Sequence, residues 1–203
     1  SNKWGQHDYT MEGAQGGSSF NAIIEKGFGT PKNAKEFTEL AQWVNYDGYR
    51  AMFESRSLNR KGLLLWMTHP AWPSMVWQTY DYYFEPTAGY FGSMKGNEPL
   101  HIQWNSATNQ IEVVNYSAGS HPALEATAQL INMDGKVVWE RKAELSSEED
   151  TTKRPFSLEF PKELSAAHFV KLYLREGDKV VSDNCYIRGT EEGNYQAIRR
   201  MPK

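Results

Sequence analysis

Between residues 100 and 189 the sequence breaks into seven short segments of strand character, and no other feature restricts the fold as much. The segments are His101–Asn105, Gln110–Tyr116, Ala123–Met133, Lys136–Lys142, Phe156–Phe160, His168–Glu176 and Lys179–Arg188. Asn132-Met133-Asp134-Gly135 and Glu176-Gly177-Asp178 place Asp and Gly where a tight hairpin turn needs them. Val170, Leu172 and Leu174 alternate with Lys171, Tyr173 and Arg175, the two-residue period of a strand with one face inward. Many short strands without helical periodicity predict an immunoglobulin-like β-sandwich over 100–189. Such a sandwich is a spacer or a binding platform on many unrelated proteins, so function must be sought in particular residues.

The first hundred residues have another texture. Of 27 aromatic residues, 19 lie at or before Trp104, and nine crowd into the 26 residues from Trp66 to Phe91. Ser18-Ser19 ahead of Phe20, Ile23 and Ile24, with Gly27 and Gly29 behind, predicts a helix of about two turns. A longer helix is predicted from Asn33 to Leu58, with Asn33 and Glu36 in capping-box spacing. Phe37, Leu40, Ala41, Val44, Gly48, Ala51 and Met52 form one face; Trp43, Tyr46, Arg50 and Phe53 form a second. Apolar character on two sides suits a helix wedged between neighbours. Leu63–Met67, bounded by Gly62 and Pro70 and not alternating, reads as a buried strand of a parallel sheet. No second strand of that type follows, so residues 1–99 read as part of a larger α/β architecture.

Charge and motifs exclude several classes. The 22 basic and 25 acidic residues are spread evenly, which disfavours a nucleic-acid module. The longest apolar run is five residues, too short for a transmembrane helix, which needs about 20. The five histidines have no metal-ligand spacing, no phosphate loop follows a strand, and no nucleophile elbow occurs, so neither metal nor cofactor is expected. The single cysteine, Cys185, lies in a predicted strand and reads as a small core residue. Asn115-Tyr116-Ser117 matches the glycosylation sequon, a match that arises often by chance. Asp81, Glu85 and Glu98 show no spacing that dictates acid/base work. The more telling residue is Trp66, which ends the apolar run just before Thr68 and His69. An indole at a strand's C-terminal mouth offers a flat apolar face to a sugar.

Leu64-Leu65-Trp66-Met67, Ala71-Trp72-Pro73-Ser74, Trp77, Tyr80-Asp81-Tyr82-Tyr83, Gly89-Tyr90-Phe91-Gly92 and Asn97-Glu98-Pro99-Leu100-His101-Ile102-Gln103 together resemble glycoside hydrolase family 2. The preceding Arg50-Ala51-Met52-Phe53-Glu54 points to the exo-β-glucosaminidase and β-mannosidase-like branch. The resemblance covers most of residues 3–105. It implies an α+β multi-domain fragment: the last helix and strand elements of a TIM (β/α)8 barrel over 1–99, the immunoglobulin-like sandwich over 100–189, and a linker to a further domain over 190–203. It makes Leu63–Met67 the eighth barrel strand, Asn33–Leu58 the helix before it, and Gly89–Lys95 part of the closing helix. Retaining enzymes of this class use two carboxylates, as nucleophile and acid/base. In the family these follow the fourth and seventh strands, so this chain carries no catalytic residue. The resemblance implies substrate-binding roles for Trp66, for His69, which stands where the family usually has Asn, and for His7 beside Asp8. The substrate is an oligosaccharide or polysaccharide, with glucosamine and mannose both open, and the setting periplasmic or extracellular. Self-association through an exposed barrel face is a further expectation. The rival is a carbohydrate-binding or adhesion module with Trp104, Trp139 and Tyr173 as its aromatics; a purely structural sandwich is the third reading.

Overall fold

The computed structural model describes residues 17–55, 62–74 and 78–201. The chain divides into two units, Ser1–Gly96 and Asn97–Lys203.

Among the described residues the first unit holds three α-helices: α1 (Gly17–Phe28), α2 (Ala34–Glu54) and α3 (Ala88–Gly96). α1 runs longer than its two predicted turns and buries Ile24 and Phe28, one turn apart on one side. Asn33 caps α2 as its sequence predicts: its side-chain oxygen accepts from the Glu36 amide at 3.0 Å. The Glu36 carboxylate reaches back to the Lys32 amide, one residue before the cap. α2 buries Arg50 and Phe53 on one of its two apolar faces, while Gly48, Ala51 and Met52 on the other lie open.

The buried face of α2 meets α3, and glycine sets how close they come. A Cβ on Gly92 would lie 2.3 Å from the Tyr46 carbonyl oxygen, and one on Gly96 2.7 Å from the Phe53 Cβ. A Cβ on Gly89 would press on the Tyr49 ring at 3.1 Å. Glycine inside a helix is destabilising by about 1 kcal/mol relative to alanine; here it lets two backbones pack with no side chain between them. Gln42 accepts from the Ala88 amide at 2.8 Å and so caps α3 from α2. Arg50, 1% exposed, bonds Asp47 and lies over the Tyr46 ring, 5.1 Å from its centroid.

Leu63–Met67 departs from its prediction. It forms no strand, Leu64 is fully exposed and Leu63 partly so. A parallel strand exists only where neighbours take up its amides and carbonyls, and no strand runs beside it among the described residues.

The second unit is the β-sandwich. Its strands are β1 (Leu100–Asn105), β2 (Gln110–Asn115), β3 (His121–Asn132), β4 (Val137–Ser147), β5 (Thr151–Ser157), β6 (Ala167–Glu176) and β7 (Lys179–Gly189). They form a three-stranded sheet in the order β1-β2-β5 and a four-stranded sheet in the order β4-β3-β6-β7. All observed pairings are antiparallel. Both anticipated hairpins occur, with Gly135 and Gly177 at positive φ, 83° and 57°. Between them the inward faces enclose Ile102, Ile111, Val113, Leu130, Val170, Leu172, Leu174 and their neighbours. β5 begins at Thr151, ahead of its predicted start at Phe156; Thr-Thr-Lys-Arg does not alternate, yet β2 pairs with it.

Polar groups bind the sandwich as firmly as apolar ones. The buried Glu112 carboxylate accepts from Arg154 Nε at 3.0 Å, Gln103 Nε2 at 2.8 Å and Asn105 Nδ2 at 3.3 Å. β7 side chains serve the outer edge of β1. Ser182 Oγ and Tyr186 Oη accept from the Ile102 and Trp104 amides, each at 3.1 Å, and Asn184 Nδ2 donates to the Ile102 carbonyl at 3.1 Å. Cys185 alternates with these inward residues and is only half-buried on the opposite face, so it is not the core residue its sequence suggests. Residues Gln196–Arg200 form a short 3₁₀ helix.

Candidate functional site

The aromatic stretch of the first unit is organised around the Thr68 carbonyl. It accepts from the Tyr80 amide at 2.9 Å and from the Thr79 hydroxyl at 3.3 Å, tying the residues after Trp66 to a turn over 80–86. Tyr80 and Pro86 close that turn as an isolated bridge. Asp81 builds its interior. One carboxylate oxygen accepts from the Tyr83 and Glu85 amides at 2.8 and 3.0 Å, the Asp81 carbonyl takes the Phe84 amide at 3.2 Å, and the Asp81 amide donates to Glu85 at 2.9 Å. An aspartate that satisfies amides two and four residues ahead is an Asx-turn. At the base, the Thr87 hydroxyl donates to the Gln78 carbonyl at 3.0 Å.

His69 packs on this turn. Its ring is stacked on Phe84 with centroids 4.3 Å apart and on Tyr82 at 6.4 Å. Its Nε2 donates to the Tyr82 carbonyl at 3.3 Å. Burial, with Tyr90 alongside, pushes the Tyr80 hydroxyl above the usual phenol value. Trp66, three residues before His69, stands 78% exposed and is joined to Met67 by a cis peptide. Trp72 is also exposed and serves no core. His7 and Trp77 lie outside the described residues.

The other candidates resolve differently. Trp104 is buried edge-on to Tyr186, with Arg188 over its ring. Trp139 packs against the core, and Tyr173 carries Lys171 and Arg175 over its ring. Glu98 accepts from His101 Nδ1 at 2.9 Å and from the Ser182 hydroxyl at 2.7 Å, a structural clasp within the sandwich. The Asn115 side chain of the sequon is fully buried, donating to the Gly119 carbonyl at 2.8 Å, which shuts it off from modification in the folded state. Among the described residues no group of three His, Cys, Asp or Glu side chains could hold a metal, and no helix is long and apolar enough to cross a membrane. A recess of about 330 Å³ between α1 and the start of α2, walled by Ile24, Pro31 and Phe37, holds neither Trp66 nor His69.

With the geometry in place, the comparisons give it a setting. Residues 108–188 match the family described as Mannosidase Ig/CBM-like domain. The sandwich resembles such a domain. The chain is 36% identical to an exo-β-D-glucosaminidase of Amycolatopsis orientalis over 123 residues, 57% of this chain and 12% of that protein. It is 38% identical to a mannosylglycoprotein endo-β-mannosidase of Lilium longiflorum over 116 residues, 55% of this chain and 12% of that protein. The crystal structure of an Amycolatopsis orientalis exo-chitosanase superimposes with a TM-score of 0.88 at 24% identity, over 98% of this chain and 28% of that one. The chain thus spans about an eighth of those two relatives and just over a quarter of that structure, and it resembles glycoside hydrolase family 2 enzymes. The sandwich keeps Trp104 in its core and Trp139 against it, and among the described residues every exposed aromatic except Phe160 lies in the other unit. Sequence reasoning singled out Trp66 and His69 but not the Tyr82–Phe84 turn that His69 stacks on. Asp81 at the head of the turn and Pro86 at its end are the signals that could have found it.

Proposed function

We infer that residues 17–96 are closing elements of a (β/α)8 barrel and that the whole protein is a retaining exo-acting β-glycosidase removing a terminal glucosamine, mannose or similar sugar. The observation that carries this reading is the exposed indole of Trp66, two residues before the Thr68 carbonyl that is tied to a turn built by Asp81. A flat aromatic face held in the open suits the C–H surface of a pyranose. The open second face of α2 and the exposed Leu63 and Leu64 support a barrel, because each is apolar surface awaiting a neighbour. On this reading Leu63–Met67 becomes a strand once flanking strands pair with it. Trp66 walls the sugar subsite. Two carboxylates, about 5–5.5 Å apart in retaining enzymes, carry out displacement and proton transfer from another part of the polypeptide. The 203-residue chain by itself then turns over no glycoside. Enzymes that degrade polysaccharides meet their substrate outside the cytoplasm, so the reading includes a periplasmic or extracellular setting. The rival, a sandwich that binds sugar through its own aromatics, has less in its favour, since Trp104 is buried while Trp139 and Tyr173 are half-buried.

The test is the full-length protein on a panel of aryl β-glycosides. Hydrolysis of at least one is expected, with kcat/KM about tenfold lower or worse in Trp66→Ala. Turnover of none removes the hydrolase reading, and an unchanged kcat/KM in the variant removes the role of Trp66.

A further inference from the structure

We propose that His121 is a proton-operated clasp at one end of the sandwich. With both ring nitrogens protonated it ties the 116–120 turn to the end of β6, and loss of the Nε2 proton frees the turn from that tie. Every contact involved lies within the sandwich, so the inference stands apart from the reading of Trp66.

The ring has an oxygen acceptor at each end. His121 opens β3, and its side chain is only 18% exposed. Its Nδ1 lies 2.9 Å from a Glu176 carboxylate oxygen, and its Nε2 lies 3.1 Å from the Ala118 carbonyl oxygen. A carbonyl and an ionised carboxylate only accept, so each ring nitrogen has to donate. A neutral imidazole carries one N–H and satisfies one of the two oxygens; at the other contact a nitrogen lone pair then faces an oxygen. The imidazolium satisfies both. Histidine is the side chain that changes charge between about pH 5 and 8, so this contact is made and broken in an ordinary range.

The charged groups about the ring come from three elements. Glu176 faces it from β6, with Lys179 opposite Glu176 on β7. Glu148 and Glu149 belong to the turn between β4 and β5, where they accept from the Ser120 hydroxyl and the Gly119 amide. On β4 the residue opposite His121 is the uncharged Ser147. Of these groups Glu176 is the one that bonds the ring, so it decides which nitrogen keeps the last proton. A carboxylate holds an N–H more strongly than a carbonyl does, so that proton stays on Nδ1 and the Ala118 contact is the one given up. The turn keeps its ties to Asn115, which takes the Ala118 amide at 3.0 Å and donates to the Gly119 carbonyl at 2.8 Å. What the proton controls is therefore the grip of the turn on the strands beside it, while the turn itself stays folded.

The test follows the imidazole nitrogens of the 203-residue chain by long-range proton–nitrogen NMR from pH 5 to 8.5, with His121→Gln to assign the signal. Both nitrogens should be protonated at the acid end. Above the transition the neutral ring should hold its proton on Nδ1, set by the Glu176 bond, where a free histidine favours the Nε2–H form. The Ala118 and Gly119 amides should shift with the same midpoint. Their protection from hydrogen exchange, corrected for the intrinsic rate, should fall about threefold across it. The Glu176 side chain is 43% exposed, so Glu176→Gln keeps the fold, and it should return the neutral ring to the Nε2–H form. A neutral ring carrying Nε2–H in the parent chain overturns the clasp. Ala118 and Gly119 amides that ignore the titration overturn it too, as does a tautomer unchanged in Glu176→Gln.

Discussion

Of the twenty apolar side chains most deeply buried among the described residues, seventeen belong to the second unit; of the fifteen large exposed ones, eleven belong to the first. The same chain therefore holds two kinds of folding solution. The sandwich closes its own core between two sheets, satisfies a buried carboxylate with three donors and caps its strand edges from within. The helical unit brings α2 close to α3 and buries Ile24, Phe28 and Phe53, yet it carries most of the large exposed apolar side chains. The contrast shows that helix and strand patterns can be native in character while leaving apolar side chains open: Leu64, Trp66, Phe84 and Phe91 are all exposed.

The contrast can be broken at several points. Leu172→Ala in β6 empties the middle of the sandwich core and should cost about 2–5 kcal/mol, read as a lower urea midpoint with an unchanged slope. A cost below about 1 kcal/mol would mean that the sandwich core is less tightly closed than its burial indicates. Gly92→Ala in α3 forces a methyl against the Tyr46 carbonyl and should cost about 1–3 kcal/mol, with loss of helical circular dichroism at 222 nm. A neutral or stabilising result would show that α2 and α3 separate freely and that the first unit has even less structure of its own.

Smaller effects sharpen the picture. Burial, helped by Arg188, holds the His168 imidazole below its ordinary value, so the folded chain keeps it neutral while the unfolded chain protonates near pH ~6.5. Its contribution is present above that pH and is lost as the pH falls through it. Thermal melts from pH 7.5 to 5.5 should show declining stability that His168→Gln flattens; an identical slope in the variant would exclude this group. Leu64→Lys should change stability by no more than about 0.5 kcal/mol, since Leu64 packs on nothing. It should nevertheless lower the concentration-dependent association that sedimentation velocity is expected to detect in the parent chain. A parent chain that stays monomeric and binds no apolar dye would erase the distinction between the two units.

How much could be read beforehand follows the same division. Strand alternation in β6 and the Asp-Gly turn after β3 were legible because their causes are local: side-chain direction and a positive φ at Gly135. The cap at Asn33 was legible for the same reason. Leu63–Met67 was misread as a settled strand because strand formation depends on partners, and a five-residue apolar run does not state whether they are present. Cys185 was misread because a strand has two faces and the register that sends Asn184 and Tyr186 inward comes from pairing with β6. At the candidate site, Trp66 and His69 stood out as residue types beside a short apolar run. The turn that embraces His69 did not, because Thr68 and Tyr80 are joined by a backbone hydrogen bond across twelve residues, which no side-chain pattern records.

The three β7 side chains on the flank of β1 have a consequence for how copies of this molecule can meet. An unoccupied strand flank invites a second copy to extend the sheet, the route to fibrils and precipitates. Ser182, Asn184 and Tyr186 already occupy the Ile102 and Trp104 amides and the Ile102 carbonyl, so that flank is plugged by the protein's own side chains. Removing the plug with a Ser182→Ala, Tyr186→Phe double variant would give the sandwich a sticky margin it now lacks, and would turn a self-contained domain into a seed for stacking.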